Sequence, residues 1–151
     1  MSKGIIKSWQ SSTMPRSRKI WLVSEEQRLI FSQLVSLLQP YANRLDIRTN
    51  TPDQYELWTK HSFRSLSMNP KNKRGILFAG TLIMKKHIGL YFYPLHIHPD
   101  LIVAIDESIR PFWKGNSAFH FRKPLTDLIM VKLIHLLDEG WEYYRQKQWI
   151  F

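Results

Sequence analysis

Cysteine is absent from the chain. That absence excludes disulfides, thiolate metal sites and a cysteine nucleophile, and it suits a reducing compartment. Acid is scarce: twelve Asp and Glu stand against twenty-two Lys and Arg, giving a formal net charge of +10. Long apolar runs are missing too. A membrane-spanning helix needs about 20 apolar residues in a row, and the longest apolar stretches here are broken by Lys85, Lys86 and His87 or by Asp100. The opening residues, MSKGIIKSWQSSTMPRSRK, lack the apolar core of about 7–15 residues that marks a secretory signal. A cytoplasmic chain without membrane contact is therefore expected. Catalytic signatures are also missing. There is no G-x-S-x-G elbow, no G-x-x-x-x-G-K-[ST] phosphate loop and no G-x-G-x-x-G turn. Asp106 and Glu107 are adjacent, so on a helix their carboxylates diverge rather than flank a substrate. A non-enzymatic protein is expected.

What is present is an apolar centre. The stretch 75–99, GILFAGTLIMKKHIGLYFYPLHIHP, is the most apolar part of the chain and reads as a β-hairpin with an extended exit. Ile76, Phe78, Gly80, Leu82 and Met84 alternate with Leu77, Ala79, Thr81 and Ile83. Both faces are apolar or small, the pattern of a strand covered on each side. Lys85, Lys86 and His87 form the tip, and Pro94 ends the pairing.

The rest reads as cover for that hairpin. Ser24-Glu25-Glu26-Gln27 has the form of a capping box. Leu29, Ile30, Leu34, Leu37 and Leu38 follow at helical spacing until Pro40. Strands are predicted over 45–49, 55–60 and 117–121, with a further one over 63–67. A short helix is expected from His98-Pro99-Asp100 and another over 107–113. Pro124 is expected to open a final helix whose stripe is Leu125, Leu128, Ile129, Leu133, Leu136, Leu137, Trp141 and Tyr144. With 151 residues, one domain is favoured. The sum is an α+β fold: an antiparallel sheet of five to six strands with N- and C-terminal helices packed on one face. Residues 1–20 form a basic, loosely held tail ahead of a single domain over 21–151.

The positive excess is concentrated. Residues 1–20 hold five Lys and Arg and no acid, residues 71–90 hold another five and no acid, and the remainder nets to zero. Such clusters attract phosphate, nucleic acid or acidic partners. They equally suit a solubilising tail and a solvated hairpin tip.

Three runs together resemble the YdhG-like family, a domain family of unknown function. They are Phe78-Ala79-Gly80, then His87-Ile88-Gly89-Leu90-Tyr91-Phe92-Tyr93-Pro94, then Trp113-Lys114-Gly115-Asn116-Ser117-Ala118-Phe119-His120. The ending Glu139-Gly140-Trp141-Glu142-Tyr143-Tyr144, with Trp149-Ile150, is similar as well. The resemblance spans roughly residues 24–151. It implies a frataxin-like α+β fold and, through one idea attached to the family, an iron-chaperone role. Frataxin-like iron binding uses an acidic surface, whereas this chain is basic.

Candidate chemistry is local. In an extended segment alternate residues share a face. His96 and His98 would then reach one ion, with Asp100 adding a carboxylate, a donor set that suits iron. The plain alternative is two half-buried histidines bonded to the backbone. Lys114-Gly115-Asn116 offers an ammonium and open backbone N–H groups to an anion, joined by Lys85, Lys86, Arg122 and Lys123 if the loops converge. The plain alternative is a glycine turn with a surface lysine. His120 reads as a packed histidine beside two phenylalanines, and His87 as solvated at the tip. The expected function is a binding module that holds a small ligand or a protein partner between the sheet and the loops at 94–100 and 114–116. Metal binding by His96, His98 and Asp100 is the second reading, and nucleic-acid binding through 1–20 and 71–86 the third.

Overall fold

The computed structural model of the protein describes residues 22–60 and 75–150. The tail at 1–20, the strand expected over 63–67 and the basic loop at 71–74 lie outside the described residues. The centre is the expected hairpin. β3 (Leu77–Ile83) and β4 (Ile88–Phe92) pair antiparallel, and every residue of both strands is buried. β1 (Asp46–Thr51) and β2 (Gln54–Trp58) lie on one side, and β5 (Ala118–Phe121) lies beyond β4. The sheet order is β1-β2-β3-β4-β5, and each neighbouring pair is antiparallel. The Met84 amide donates to the His87 carbonyl at 2.9 Å, which leaves Lys85 and Lys86 as a two-residue tip.

α1 spans Glu25–Leu38, and its capping box is complete. The Gln27 amide donates to the Ser24 hydroxyl at 3.1 Å, and the Ser24 amide donates to the Gln27 carboxamide oxygen at 3.0 Å. The amide nitrogen of that same side chain donates to the carbonyls of Met84 and Lys85 at 3.0 and 3.3 Å. One turn later Arg28 donates to the Pro52 carbonyl at 2.6 Å and to Asp53 at 3.2 Å. The start of α1 therefore holds the tips of both hairpins. A 3₁₀ helix, Gln39–Arg44, follows with Pro40 in its first turn, where its missing N–H costs nothing.

Between β4 and β5 the chain makes an excursion of short helices. α2 is a single turn, Pro94–Ile97, followed by 3₁₀ helices at Pro99–Ala104 and Arg110–Phe112. α2 corrects the extended exit expected from the sequence. Tyr93 already has helical backbone angles, and Pro94 in the first turn has the fixed φ a helix requires. The amides of His96 and His98 close the turn onto the carbonyls of Tyr93 and Pro94, both at 2.8 Å.

α3 spans Asp127–Gln146 and is capped by Thr126, so it starts later than Pro124 suggested. Its buried stripe is Leu133, Leu136, Leu137, Gly140 and Tyr144. Leu128 is exposed, as is Leu29 on α1, so both helices bury a narrower stripe than their apolar residues imply. The end of α3 is held by the amides of Gln148 and Trp149, which donate to the carbonyls of Arg145 and Tyr144 at 2.9 and 3.0 Å. This is a Schellman pattern with Gln148 in the left-handed position, at φ 63°. It docks Trp149 edge-on against Tyr144, with ring centroids 5.0 Å apart.

α3 and the 3₁₀ helix at Gln39–Arg44 meet the sheet at an aromatic cluster. The Phe78 ring lies 5.5–5.7 Å from Phe92, Trp141, Tyr144 and Tyr41. The Tyr144 hydroxyl donates to the Leu77 carbonyl at 2.6 Å, so the one polar atom of this buried ring is satisfied. Gly140 is the closest approach: a Cβ there would come within 2.9 Å of both Phe92 and Pro94.

Glycine in a helix ordinarily costs about 1 kcal/mol relative to alanine. Here overpacking opposes that gain, at typically 1–3 kcal/mol. Gly140→Ala is therefore expected to destabilise the protein by about 1–2 kcal/mol, read as a lower urea midpoint at unchanged slope. A rise in midpoint would show that α3 does not rest on Phe92.

Candidate functional site

The rim of the sheet along β5, from the β3–β4 tip at the end of that strand to the turn at 114–117 at its start, gathers the polar side chains that the core rejects. Register decides which ones meet. Ile88 pairs with Phe121 and Gly89 with His120. His87 therefore falls opposite Arg122, one step diagonal from His120 on the neighbouring strand. Gly89, directly opposite His120, offers no side chain between them. The two imidazoles stack, with centroids 3.8 Å apart and planes 17° from parallel. The Tyr91 ring folds back over Gly89; a Cβ there would meet its hydroxyl at 2.6 Å.

A loop completes the rim. The Lys114 amide donates to the Ala118 carbonyl at 2.8 Å and closes a tight turn. Gly115 and Asn116 both sit at positive φ, 89° and 53°. Two other residues hold Asn116 there. The Trp113 indole N–H donates to its carbonyl at 3.0 Å, and His96 Nδ1 lies 2.9 Å from its side-chain oxygen. The Ser117 carbonyl accepts from the Phe92 amide at 2.8 Å. The Ser117 hydroxyl is buried and has no hydrogen-bond partner among the described residues.

The electrostatics are one-sided. Burial pushes His87 down to about 4, and His120, Arg122 and Lys114 add to the shift. His120 is lowered by burial and by the charges of Lys114 and Arg122. Burial also pushes the Tyr91 phenol up to about 12. Both imidazoles are thus held neutral at pH 7 in a field that no carboxylate among the described residues offsets.

The sequence-derived candidates separate. Lys114, Gly115 and Asn116 form one built turn. Lys85 and Lys86 are exposed at the hairpin tip. His96 bonds Asn116, whereas His98 stacks flat on Tyr143 of α3, at 4.2 Å and 6°. Successive helical residues are about 100° apart, so these two histidines point to opposite sides of their turn. Asp100 is exposed in the next helix. The shared face assumed for His96, His98 and Asp100 is corrected by this helical turn. Among the described residues no three His, Asp or Glu side chains are grouped to hold a metal ion. His87 and His120 were not expected to meet. The available signal was Gly89, a gap in a buried strand, but using it required the register of β5.

Away from the rim, a concavity of about 310 Å³ lies at Val103, Ala104, Asp106, Val131, Lys132 and His135. There Lys132 and Asp106 pair at 3.5 Å, so its charge is internally balanced. Among the described residues, no helix is long and apolar enough to cross a membrane. No protein-family model, curated protein or solved structure matches the chain.

Two outcomes follow from the rim. The unfolded chain protonates His87 near pH 6.5 and the folded chain only near 4, so the unfolded state binds more protons between those values. Stability is expected to fall as pH drops through that window. The half-exposed ring reduces the effect to roughly 1–2 kcal/mol. Urea unfolding across the window would measure it, and His87→Gln should flatten the curve. Separately, Ser117→Ala removes an unsatisfied buried hydroxyl and should raise stability by about 1 kcal/mol. A loss of stability would show that the hydroxyl is used.

Proposed function

We propose that the protein is a non-enzymatic binding module, similar in kind to the YdhG-like family, that seats a small ligand at this rim. One observation carries the reading. The turn at 114–117 is held in two consecutive left-handed residues by side chains from outside it, Trp113 and His96. Left-handed backbone at a non-glycine residue such as Asn116 is uncommon and persists where its surroundings fix it.

The chemistry around it favours binding over turnover. The Ser117 hydroxyl meets no base, and the imidazoles stack on each other rather than on a nucleophile. The Thr81 hydroxyl donates to the Gly89 carbonyl at 2.8 Å, a structural bond within the sheet. Pre-set donors on a rigid strand edge give affinity by lowering the ordering cost of binding.

The test is an amide NMR titration of labelled protein against a panel of small carboxylates, phosphates and amines. Shifts are expected to concentrate at 87–96 and 113–122. Asn116→Ala should weaken any hit severalfold, because the turn loses its tie to His96. Shifts centred on α3, or steady turnover of a panel compound that is lost in Lys114→Ala, would overturn the reading.

A further inference from the structure

The rim collects four groups that carry or accept positive charge. His87 comes from the β3–β4 turn, and His120 and Arg122 lie two residues apart along and just beyond β5. Lys114 is tied beside Ala118, on the same side of the strand as His120. The imidazoles touch at 3.8 Å between centroids. Among the described residues none of the four is ion-paired, the described pairs being Arg28–Asp53, Arg48–Asp46, Lys132–Asp106 and Arg145–Glu142. The other titratable groups around the stack are Tyr91, folded over Gly89, and Lys85 and Lys86, which precede His87 in the turn. Among the described residues no carboxylate contributes to the field on either ring.

We propose that His87, His120, Lys114 and Arg122 form a binding site for a small doubly charged oxyanion, such as the phosphoryl or sulfate group of a small molecule, taken up together with a proton. This rests on the reading of the rim as a ligand seat and names the ligand's chemistry.

Two stacked imidazoles in the field of Lys114 and Arg122, without a counter-charge among the described residues, are stable only while the rings stay neutral. An oxyanion at this position offsets Lys114 and Arg122, and it accepts charge-assisted hydrogen bonds from imidazole N–H groups. The proton that the empty cluster refuses then becomes favourable. The lowering of both histidines agrees with this: with His87 held down to about 4, there is a pH range above that value in which binding draws a proton in. By linkage, uptake of one proton tightens binding tenfold for each pH unit lowered within that range. The exposed Lys85 and Lys86 add long-range attraction that salt screens.

Sulfate is the suitable probe, since it stays doubly charged and any pH dependence belongs to the protein. Calorimetric titration of the full chain at about pH 5.5 and about pH 7.0, in two buffers of different ionisation enthalpy, reads affinity and proton uptake together. The expected result is one saturable site, about one proton taken up per sulfate, and an affinity at least tenfold higher at the lower pH. His87→Gln should lose the proton uptake and the pH slope. Lys114→Ala with Arg122→Ala should weaken binding at least tenfold at both values, with the far-ultraviolet spectrum unchanged.

Sulfate binding that none of these substitutions affects would overturn the proposal, as would binding without proton uptake. If sulfate fails while the rim resonances still respond to neutral or cationic compounds, the ligand class is wrong and the seat stands. If the rim responds to nothing, both fall.

Discussion

The contact of Gly140 with Phe92 and Pro94 is the constraint on which the rest of the structure depends. Because residue 140 has no side chain, α3 comes down onto the end of β4. Trp141 and Tyr144 are thereby brought against Phe78, and the Tyr144 hydroxyl reaches the backbone of Leu77. The same contact fixes Pro94, and with it the helical turn that presents His96 to Asn116. A helix held further from the sheet would lose the aromatic cluster and the placement of the rim together. Packing at native density leaves no slack to absorb such a shift.

Much of this was legible in the sequence. The capping box at Ser24 and Gln27 was readable because its chemistry is local and reciprocal. The double burial of β3 was readable because both alternating sets were apolar. The α+β class followed from the order of elements. The misreadings share a physical cause. Leu29 and Leu128 fit a helical stripe yet are exposed, because periodicity gives an apolar sector while the neighbouring layer decides how wide a sector is covered. The segment at 94–97 alternates like a strand, but a proline in first-turn position and two backbone bonds make it helical. That single turn separates His96 from His98 and removes the geometric basis of the metal reading.

The candidate site was only half legible. Lys114, Gly115 and Asn116 form a turn signal that any local reading finds. The His87–His120 stack is a long-range feature, created by register and by the gap at Gly89. Nothing near either residue in the chain announces it. Gln27 shows the same dependence from the other side. Its role as a helix cap is local, while its bonds to Met84 and Lys85 anchor the turn that carries His87.

The distribution of charge completes the account. The centre of the sheet is buried throughout, so cations borne by the hairpin and by β5 can sit only at its ends and along the β5 edge. At those ends most proteins disperse charge or pair it, and the outer side of α3 does so with Lys132 and Asp106. At the rim the opposite holds: two imidazoles are pressed together beside Lys114 and Arg122, with no acid among the described residues to balance them. A surface lysine moves away from such a neighbour at little cost, but a stacked ring on a buried strand edge does not. The repulsion is thus built into positions that the backbone register fixes, where it is relieved only by neutral imidazoles or by an anion from outside.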